Sequence, residues 1–130
     1  MAYGGTFCNN GLNLVLQRAY ADSVTEISLF KVGTGTTTPT ATDTDLESAV
    51  MIWGSETKAF QSGYPKFDST NKRTTIRGFL SANECNGDLL TEFGTFNSGG
   101  TMATRHTHIA KSKSDTDEFY YVETIDNEGA

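Results

Sequence analysis

The second half of the chain is a series of short runs that recur about every ten residues, with turn-forming residues between them. The runs alternate between two sides, as in RTTIRGFLS, where Ile76 and Leu80 lie on one side and Phe79 on the other. The chain also contains 20 threonines, which suit the half-exposed faces of strands. The sequence therefore predicts a mainly β protein, an antiparallel β-sandwich with a jelly-roll-like arrangement.

The first fifty residues carry the helical pattern. Leu12, Val15, Leu16 and Ala19 are three or four positions apart, which places them on one face of a short N-terminal helix. Asn10 is the expected N-cap. We expect this helix to lie over an edge of a sheet or an end of the sandwich.

A second short helix is predicted near residues 44–51. The segment TDLE, from Thr44 to Glu47, matches a capping box, in which the first side chain bonds forward and the last bonds back. Leu46 and Ala49 would lie on the inner side of this helix.

The chain is expected to form a single domain over residues 1–130, since neither a linker nor a tandem repeat divides it. Residues 1–9 are predicted to form an extended N-terminal arm, because two adjacent glycines make this segment flexible. Tyr3 and Phe7 would anchor the arm in pockets of a partner.

The stretch KVGTGTTTPTATDTDLESAV, residues 31–50, follows a strand-like run, which is the usual position of a phosphate-binding loop. It lacks the third glycine of a dinucleotide fingerprint, and no lysine occurs between positions 32 and 57. Asp43, Asp45 and Glu47 would repel a phosphate. We interpret this Gly/Thr stretch as a structural turn and predict that it binds no nucleotide.

Two histidines are candidates for metal binding or catalysis. His106 and His108 are two positions apart, so on a strand their side chains point to the same side. A metal needs a third ligand, and spacing ties no other residue to them. We expect ordinary surface or interface histidines, whose protonation at about pH 6 would add like charges to a subunit contact and weaken it.

The sequence gives no enzyme signature. A G-x-S-x-G nucleophile elbow does not occur, and Cys8 and Cys85 lie outside any C-x-x-C motif. Two reduced thiols are expected. The prediction is a non-enzymatic protein with no cofactor and no metal.

The net charge excludes some partners. It is −6, with a pI of about 4.7, which disfavours nucleic acid because its phosphates repel an acidic chain. No apolar run approaches the roughly 20 residues that span a bilayer, and the first residues do not match a secretory signal. We therefore expect no nucleic-acid or membrane partner.

The charges are also unevenly distributed. Residues 58–77 contain five of the ten basic residues, whereas residues 115–128 contain six acids and no base. Such polarity suits contacts in which the basic patch of one copy meets the acidic patch of a neighbour. Solvated charges with no shared role are the alternative.

Two longer stretches resemble small virion proteins of tailed bacteriophages. Residues 32–50 are similar to the pattern VGTGTTxPTxxDTxLxxEV, and residues 90–105 are similar to LTExGLFNxxGTMxxR. The resemblance covers about residues 27–125. Thr95 stands where the family usually has Leu, and HTHI replaces a more apolar segment.

The resemblance implies a β-rich, non-enzymatic virion protein, assembled in the host cytoplasm, whose partners are the major capsid protein, copies of itself, or both. The preferred hypothesis is a capsid decoration (cement) protein that stabilises the head. A tail, baseplate or fibre-attachment subunit is the alternative. The candidate contact residues are Tyr3, Phe7, Arg105, His106 and His108.

A third hypothesis is a ligand-binding β-sandwich outside any virion. Trp53, Tyr64 and Tyr120 would then recognise a carbohydrate. Trp53 is the single tryptophan, and we expect it to lie in the core.

Overall fold

The computed structural model describes residues 4–126, which form eight β-strands and one α-helix. The elements in chain order are β1 (Gly4–Phe7), α1 (Asn9–Tyr20), β2 (Ile27–Gly33), β3 (Lys58–Ala59), β4 (Lys66–Asp68), β5 (Arg73–Leu80), β6 (Leu89–Asn97), β7 (Met102–Ser112) and β8 (Phe119–Ile125).

The strands form two antiparallel sheets that pack face to face. Sheet A has the strand order β1-β7-β6-β2-β3, and sheet B has the order β4-β5-β8. The main apolar core lies between them, where Phe30, Val32 and Phe93 of sheet A meet Ile76 and Leu80 of sheet B. The predicted mainly β, antiparallel architecture is confirmed, whereas the jelly-roll arrangement stays a prediction.

One glycine allows the aromatic rings of the core to pack closely. A Cβ atom at Gly78 of β5 would lie 3.1 Å from the ring of Phe93 and 3.2 Å from the ring of Phe30. Phe93 also stacks on Tyr121 of β8, with ring centroids 4.7 Å apart. A side chain at this position of the middle strand of sheet B would require these rings to move by a few tenths of an ångström.

The N-terminal segment belongs to sheet A. Gly4–Phe7 pairs with β7 along its whole length, and Cys8, which follows it, is fully buried. The predicted arm over residues 1–9 is therefore wrong for its described part, because strand pairing and the start of α1 hold that part on the sandwich. Tyr3, one of the two proposed anchors, lies outside the described residues.

The predicted N-terminal helix is confirmed as α1, although its cap differs. Cys8 occupies the N-cap position without a side-chain hydrogen bond, and Asn10 lies inside the helix. Gly11 is the residue through which α1 contacts the sheet, because a Cβ atom there would lie 2.5 Å from the carbonyl oxygen of Ala103 in β7. Only glycine allows the helix to approach the strand so closely.

The second helix, predicted near residues 44–51, is wrong, because this segment is an irregular loop. The backbone N–H groups of Glu47 and Ser48 donate to the carboxylate of Glu92, at 2.9 and 2.8 Å. The Glu47 side chain, expected to close a capping box, accepts a hydrogen bond from the Thr36 N–H at 2.7 Å. Contacts with residues distant in sequence have replaced the local helical ones.

Candidate interaction surfaces

A buried carboxylate fixes the Gly/Thr stretch to the outer face of sheet A. Glu92 of β6 is fully buried, and its Oε2 accepts hydrogen bonds from the backbone N–H groups of Gly35 and Ser48, at 2.7 and 2.8 Å. Its Oε1 accepts from the Glu47 N–H at 2.9 Å and from Arg105 Nε at 3.1 Å. Both oxygens are occupied, and the guanidinium balances the charge.

Arg105 of β7 extends this network. It is 1% exposed, and it donates from Nη1 to Asp43 at 3.1 Å and from Nη2 to Thr37 at 3.2 Å. Burial favours the neutral form of Asp43, but hydrogen bonds from Thr40 and Arg105 hold the pKa of this carboxyl below its usual value. Arg105 was predicted as a contact residue, and the structure corrects this prediction because its guanidinium lies inside the protein.

The backbone N–H groups that a phosphate would need in the Gly/Thr stretch are already occupied. Gly35 donates to Glu92, and Thr36 and Thr37 donate to Glu47 Oε1 at 2.7 and 3.3 Å. The N–H groups of Thr36 and Thr37 lower the pKa of Glu47 below its usual value. Two carboxylates thus take the place of an anionic ligand, and the stretch acts as a fixed structural loop.

A second group of polar side chains lies between the sheets. Glu123 of β8 is buried, and its Oε2 accepts a hydrogen bond from the Thr104 hydroxyl at 2.9 Å. The hydroxyls of Thr95 and Thr104 are 2.6 Å apart, and His106 Nε2 lies 2.9 Å from Glu123 Oε2. These contacts join β6, β7 and β8 across the interior.

The two histidines point to the same side of β7, as predicted, and both face sheet B. His106 lies against Glu123, and His108 Nε2 is 2.9 Å from the Tyr121 hydroxyl. Protonated His106 would therefore meet a carboxylate of its own chain. Within residues 4–126, no group of three His, Cys, Asp or Glu side chains is placed to hold a metal ion.

The two cysteines are free thiols in separate parts of the core. Cys8 packs with Phe96 and Met102, whereas Cys85 belongs to the main core between the sheets. Burial raises the pKa of each thiol to about 11. Both are therefore protonated at neutral pH and act as packing groups.

The apolar face of α1 points towards solvent. Leu12, Val15 and Leu16 are 44%, 47% and 57% exposed, and Tyr20 at the end of the helix is more exposed still. The close contact of the helix with β7 is made at Gly11, one turn before Val15. We call Leu12, Val15, Leu16 and Tyr20 the helix face. An apolar helix face normally packs against a core, so its exposure indicates an interaction surface.

The outer face of sheet B carries basic and aromatic side chains. Arg77 of β5 lies between the rings of Tyr64 and Tyr120, 5.4 and 4.8 Å from their centroids. Its Nη1 donates to Gln61 Oε1 at 3.3 Å, and Lys66 Nζ lies 4.9 Å from the centroid of the Tyr64 ring. We call Tyr64, Lys66, Arg77 and Tyr120 the basic–aromatic face.

Two of the three residues in the carbohydrate hypothesis are thus brought together. Tyr64 and Tyr120 flank Arg77, a pattern that sequence spacing does not reveal. Trp53 lies in the loop before β3, where it is exposed and donates from Nε1 to the carbonyl oxygen of Thr57 at 3.0 Å. The expectation that Trp53 lies in the core is wrong.

Of the predicted contact residues, Phe7, His106 and His108 are partly exposed. The helix face was not predicted as a contact, and Arg77 was predicted only as part of the basic stretch 58–77 that would meet an acidic patch of a neighbour. Their signals are the spacing of the apolar residues in α1 and the cluster of basic residues at 58–77.

The chain was compared with protein-family models, curated proteins and solved structures, and none of them matches it. Within the described part of the chain, no helix combines the length and the apolarity needed to cross a membrane. Two exposed surfaces, the helix face and the basic–aromatic face, are the candidate interaction sites.

Proposed function

We propose that this protein is a non-enzymatic structural subunit of a tailed-bacteriophage virion, bound as a decoration protein to the lattice of the major capsid protein. The observation that supports this proposal best is the helix face. Keeping large apolar side chains in water is unfavourable by roughly 25 cal/mol per Å² of apolar surface. An exposed apolar surface of this kind is typical of a subunit whose surface is covered by a partner in an assembly.

Helix α1 is held firmly enough to act as a docking element. The Cys8 N–H donates to the carbonyl oxygen of Ala103 at 2.8 Å, and the Asn9 N–H donates to that of Ala41 at 2.8 Å. Gly11 then keeps the helix against β7. Because the helix is already formed and oriented, it loses little entropy when it binds an apolar groove of the capsid protein.

The mechanism is adhesion. A contact of about 800 Å² per partner is typical of specific complexes, and the same contact is repeated at every equivalent site of a capsid. Copies that contact two neighbouring capsid subunits gain further affinity through avidity. The fixed Gly/Thr stretch and the buried core keep the sandwich rigid, so that force on the shell is carried between those subunits.

The test is co-sedimentation of the purified protein with capsids assembled without it. We expect the double substitution Leu12→Ser with Leu16→Ser to weaken binding by at least about tenfold, equivalent to roughly 1.4 kcal/mol. Ile109→Ser is the matched control, because Ile109 is also exposed but lies on β7 outside the helix face. Equal binding of the double variant and the wild type would exclude the helix face as the contact.

The copy number in purified virions distinguishes capsid from tail. A number close to that of the capsid lattice sites supports the decoration role. A few copies per particle would instead support a tail, baseplate or fibre-attachment subunit, the alternative that the sequence resemblance leaves open.

A further inference from the structure

Three basic residues on the side of sheet B form no ion pair with a carboxylate within residues 4–126. They are Lys66, Lys72 and Arg77. Arg73, in contrast, lies opposite Asp68, and hydrogen bonds from Asn71 together with the charge of Arg73 lower the pKa of that carboxyl. By contrast, Lys31, Lys58 and Arg105 each lie close to a carboxylate oxygen, at 3.1, 2.6 and 3.1 Å. The unpaired basic residues lie on β4, on β5 and in the turn between them. Sheet B therefore carries positive charges that form no ion pair within the described part of the chain.

Arg77 is prepared to bind an anion. Its guanidinium carbon lies 5.4 and 4.8 Å from the ring centroids of Tyr64 and Tyr120, and Gln61 Oε1 accepts a hydrogen bond from its Nη1. Its Nε is buried and has no hydrogen-bond partner among the described residues. A guanidinium restrained by these contacts loses little freedom when it forms hydrogen bonds with a carboxylate. Lys66 beside it adds a second positive charge.

A complementary acidic surface lies on the turn between β7 and β8. Asp115 and Glu118 are exposed there, and neither has a cationic partner within residues 4–126. The turn is ordered, since the N–H and the hydroxyl of Ser114 donate to Asp117 Oδ2 at 3.0 and 2.9 Å. We call residues 115–118 the acidic turn.

Within one copy the two surfaces do not form ion pairs. Arg77 lies opposite Val122 of β8, which is four residues beyond Glu118, or about 13 Å at about 3.3 Å per residue. Among residues 4–126, no ion pair joins Arg77 or Lys66 to Asp115 or Glu118. The acidic turn of one copy can therefore pair with the basic–aromatic face of another.

We propose that the basic–aromatic face of one copy binds the acidic turn of a second copy. Arg77 and Lys66 would pair with the carboxylates of Asp115 and Glu118, while Tyr64 and the neighbouring ring exclude water from the ion pairs. The two copies use different surfaces, so the contact is heterologous and generates rings or chains. This contact is separate from the helix face and does not depend on binding to a capsid.

Salt gives a clear first test. Every copy carries a net charge of −6, so copies repel one another overall, and salt weakens that repulsion. Association through local ion pairs behaves in the opposite way. In sedimentation velocity experiments on the full chain, we expect self-association at about 50 mM salt that is lost at about 500 mM.

Substitutions identify the two surfaces. We expect Arg77→Gln, and separately Asp115→Asn with Glu118→Gln, to weaken self-association by about tenfold or more. Arg18→Gln is the matched control for Arg77→Gln, because it makes the same chemical change at an exposed position on α1, which lies outside sheet B. It should not weaken the association. Circular dichroism checks that each variant is folded.

A mixing experiment tests the head-to-tail geometry. Each of the two variants retains one intact surface, so an equimolar mixture should form a complex of two copies and nothing larger. A wild-type protein that stays monomeric at low salt would overturn the proposal. So would self-association that persists in both variants and is abolished by Leu12→Ser with Leu16→Ser, because the helix face would then be the self-association surface.

Discussion

Two arginines, one on each sheet, show how differently the two outer faces of the sandwich are built. Arg105 on sheet A is buried and donates to Glu92 and Asp43. Arg77 on sheet B lies between two tyrosine rings and has no carboxylate partner within residues 4–126. Where the chain supplies the partners, an arginine stabilises the fold. Where it does not, the arginine is available to another molecule.

The difference follows from what covers each sheet. The outer face of sheet A lies beneath α1 and the Gly/Thr stretch, and Leu46 of that stretch packs with Phe96 and Met102. Gly94 makes room for it, because a Cβ atom there would lie 2.8 Å from Leu46 Cδ2. On sheet B, Tyr120 and the other outward side chains of β8 remain exposed.

The largest expected effect is a loss of stability when the buried network on sheet A, the covered sheet, is disrupted. Glu92→Gln removes a buried charge. It also places an amide N–H₂ group, which is itself a donor, next to backbone N–H groups that donate to Glu92 in the wild type. Breaking a buried ion pair on one side costs about 3–5 kcal/mol, and we expect a loss of this size in the free energy of unfolding. Urea denaturation followed by circular dichroism measures it.

Glu118→Gln is the control for Glu92→Gln, because it makes the same chemical change at an exposed position. We expect it to alter the free energy of unfolding by less than about 0.5 kcal/mol. If Glu92→Gln loses less than about 1 kcal/mol, the buried network does not stabilise the fold, and the contrast between the two sheets fails.

The β-sandwich could be predicted because its signal is local. Alternation within each run and the turn residues between runs depend on neighbours in sequence, and the structure follows both closely. The prediction of a helix near residues 44–51 was wrong because the deciding contacts are distant in sequence. TDLE satisfies every local rule for a helix start, yet Glu92, far away in sequence, offers stronger acceptors for the same N–H groups.

The candidate surfaces were predicted only in part. The apolar spacing in α1 identified Leu12, Val15 and Leu16 as one face of the helix, but whether that face is buried depends on packing that no local pattern encodes. The close contact of α1 with β7 is made at Gly11. Arg105 was predicted as a contact residue, although a charged residue in a buried strand already indicates a buried partner. The hairpin of β6 and β7 places Arg105 opposite Gly94, two residues from Glu92, and this register was the missing signal.

A smaller effect is expected on the open side. Arg77→Gln removes two contacts with aromatic rings, each of about 0.5 kcal/mol at a partly exposed site, and one hydrogen bond to a neutral side chain. It also removes a buried N–H without a partner. We expect the free energy of unfolding to fall by about 1 kcal/mol or less, measured by the same urea titration. A loss as large as that of Glu92→Gln would make Arg77 a structural residue and weaken the case for a docking role.

The smallest expected effect is a pH dependence of the stability that Glu47 contributes on the side of sheet A. The N–H groups of Thr36 and Thr37 lower the pKa of Glu47 in the folded protein. Such a group stabilises the fold above its unfolded pKa, about 4.3, and the stabilisation is lost as pH falls through the lowered folded value. The stability difference between wild type and Glu47→Gln should therefore be present at neutral pH and shrink below about pH 4. Glu118→Gln, which makes the same chemical change at an exposed position, is the control in parallel urea titrations. A constant difference across the acid range would mean that the charge of Glu47 does not hold the Gly/Thr stretch, and that Glu92 alone fixes it to sheet A.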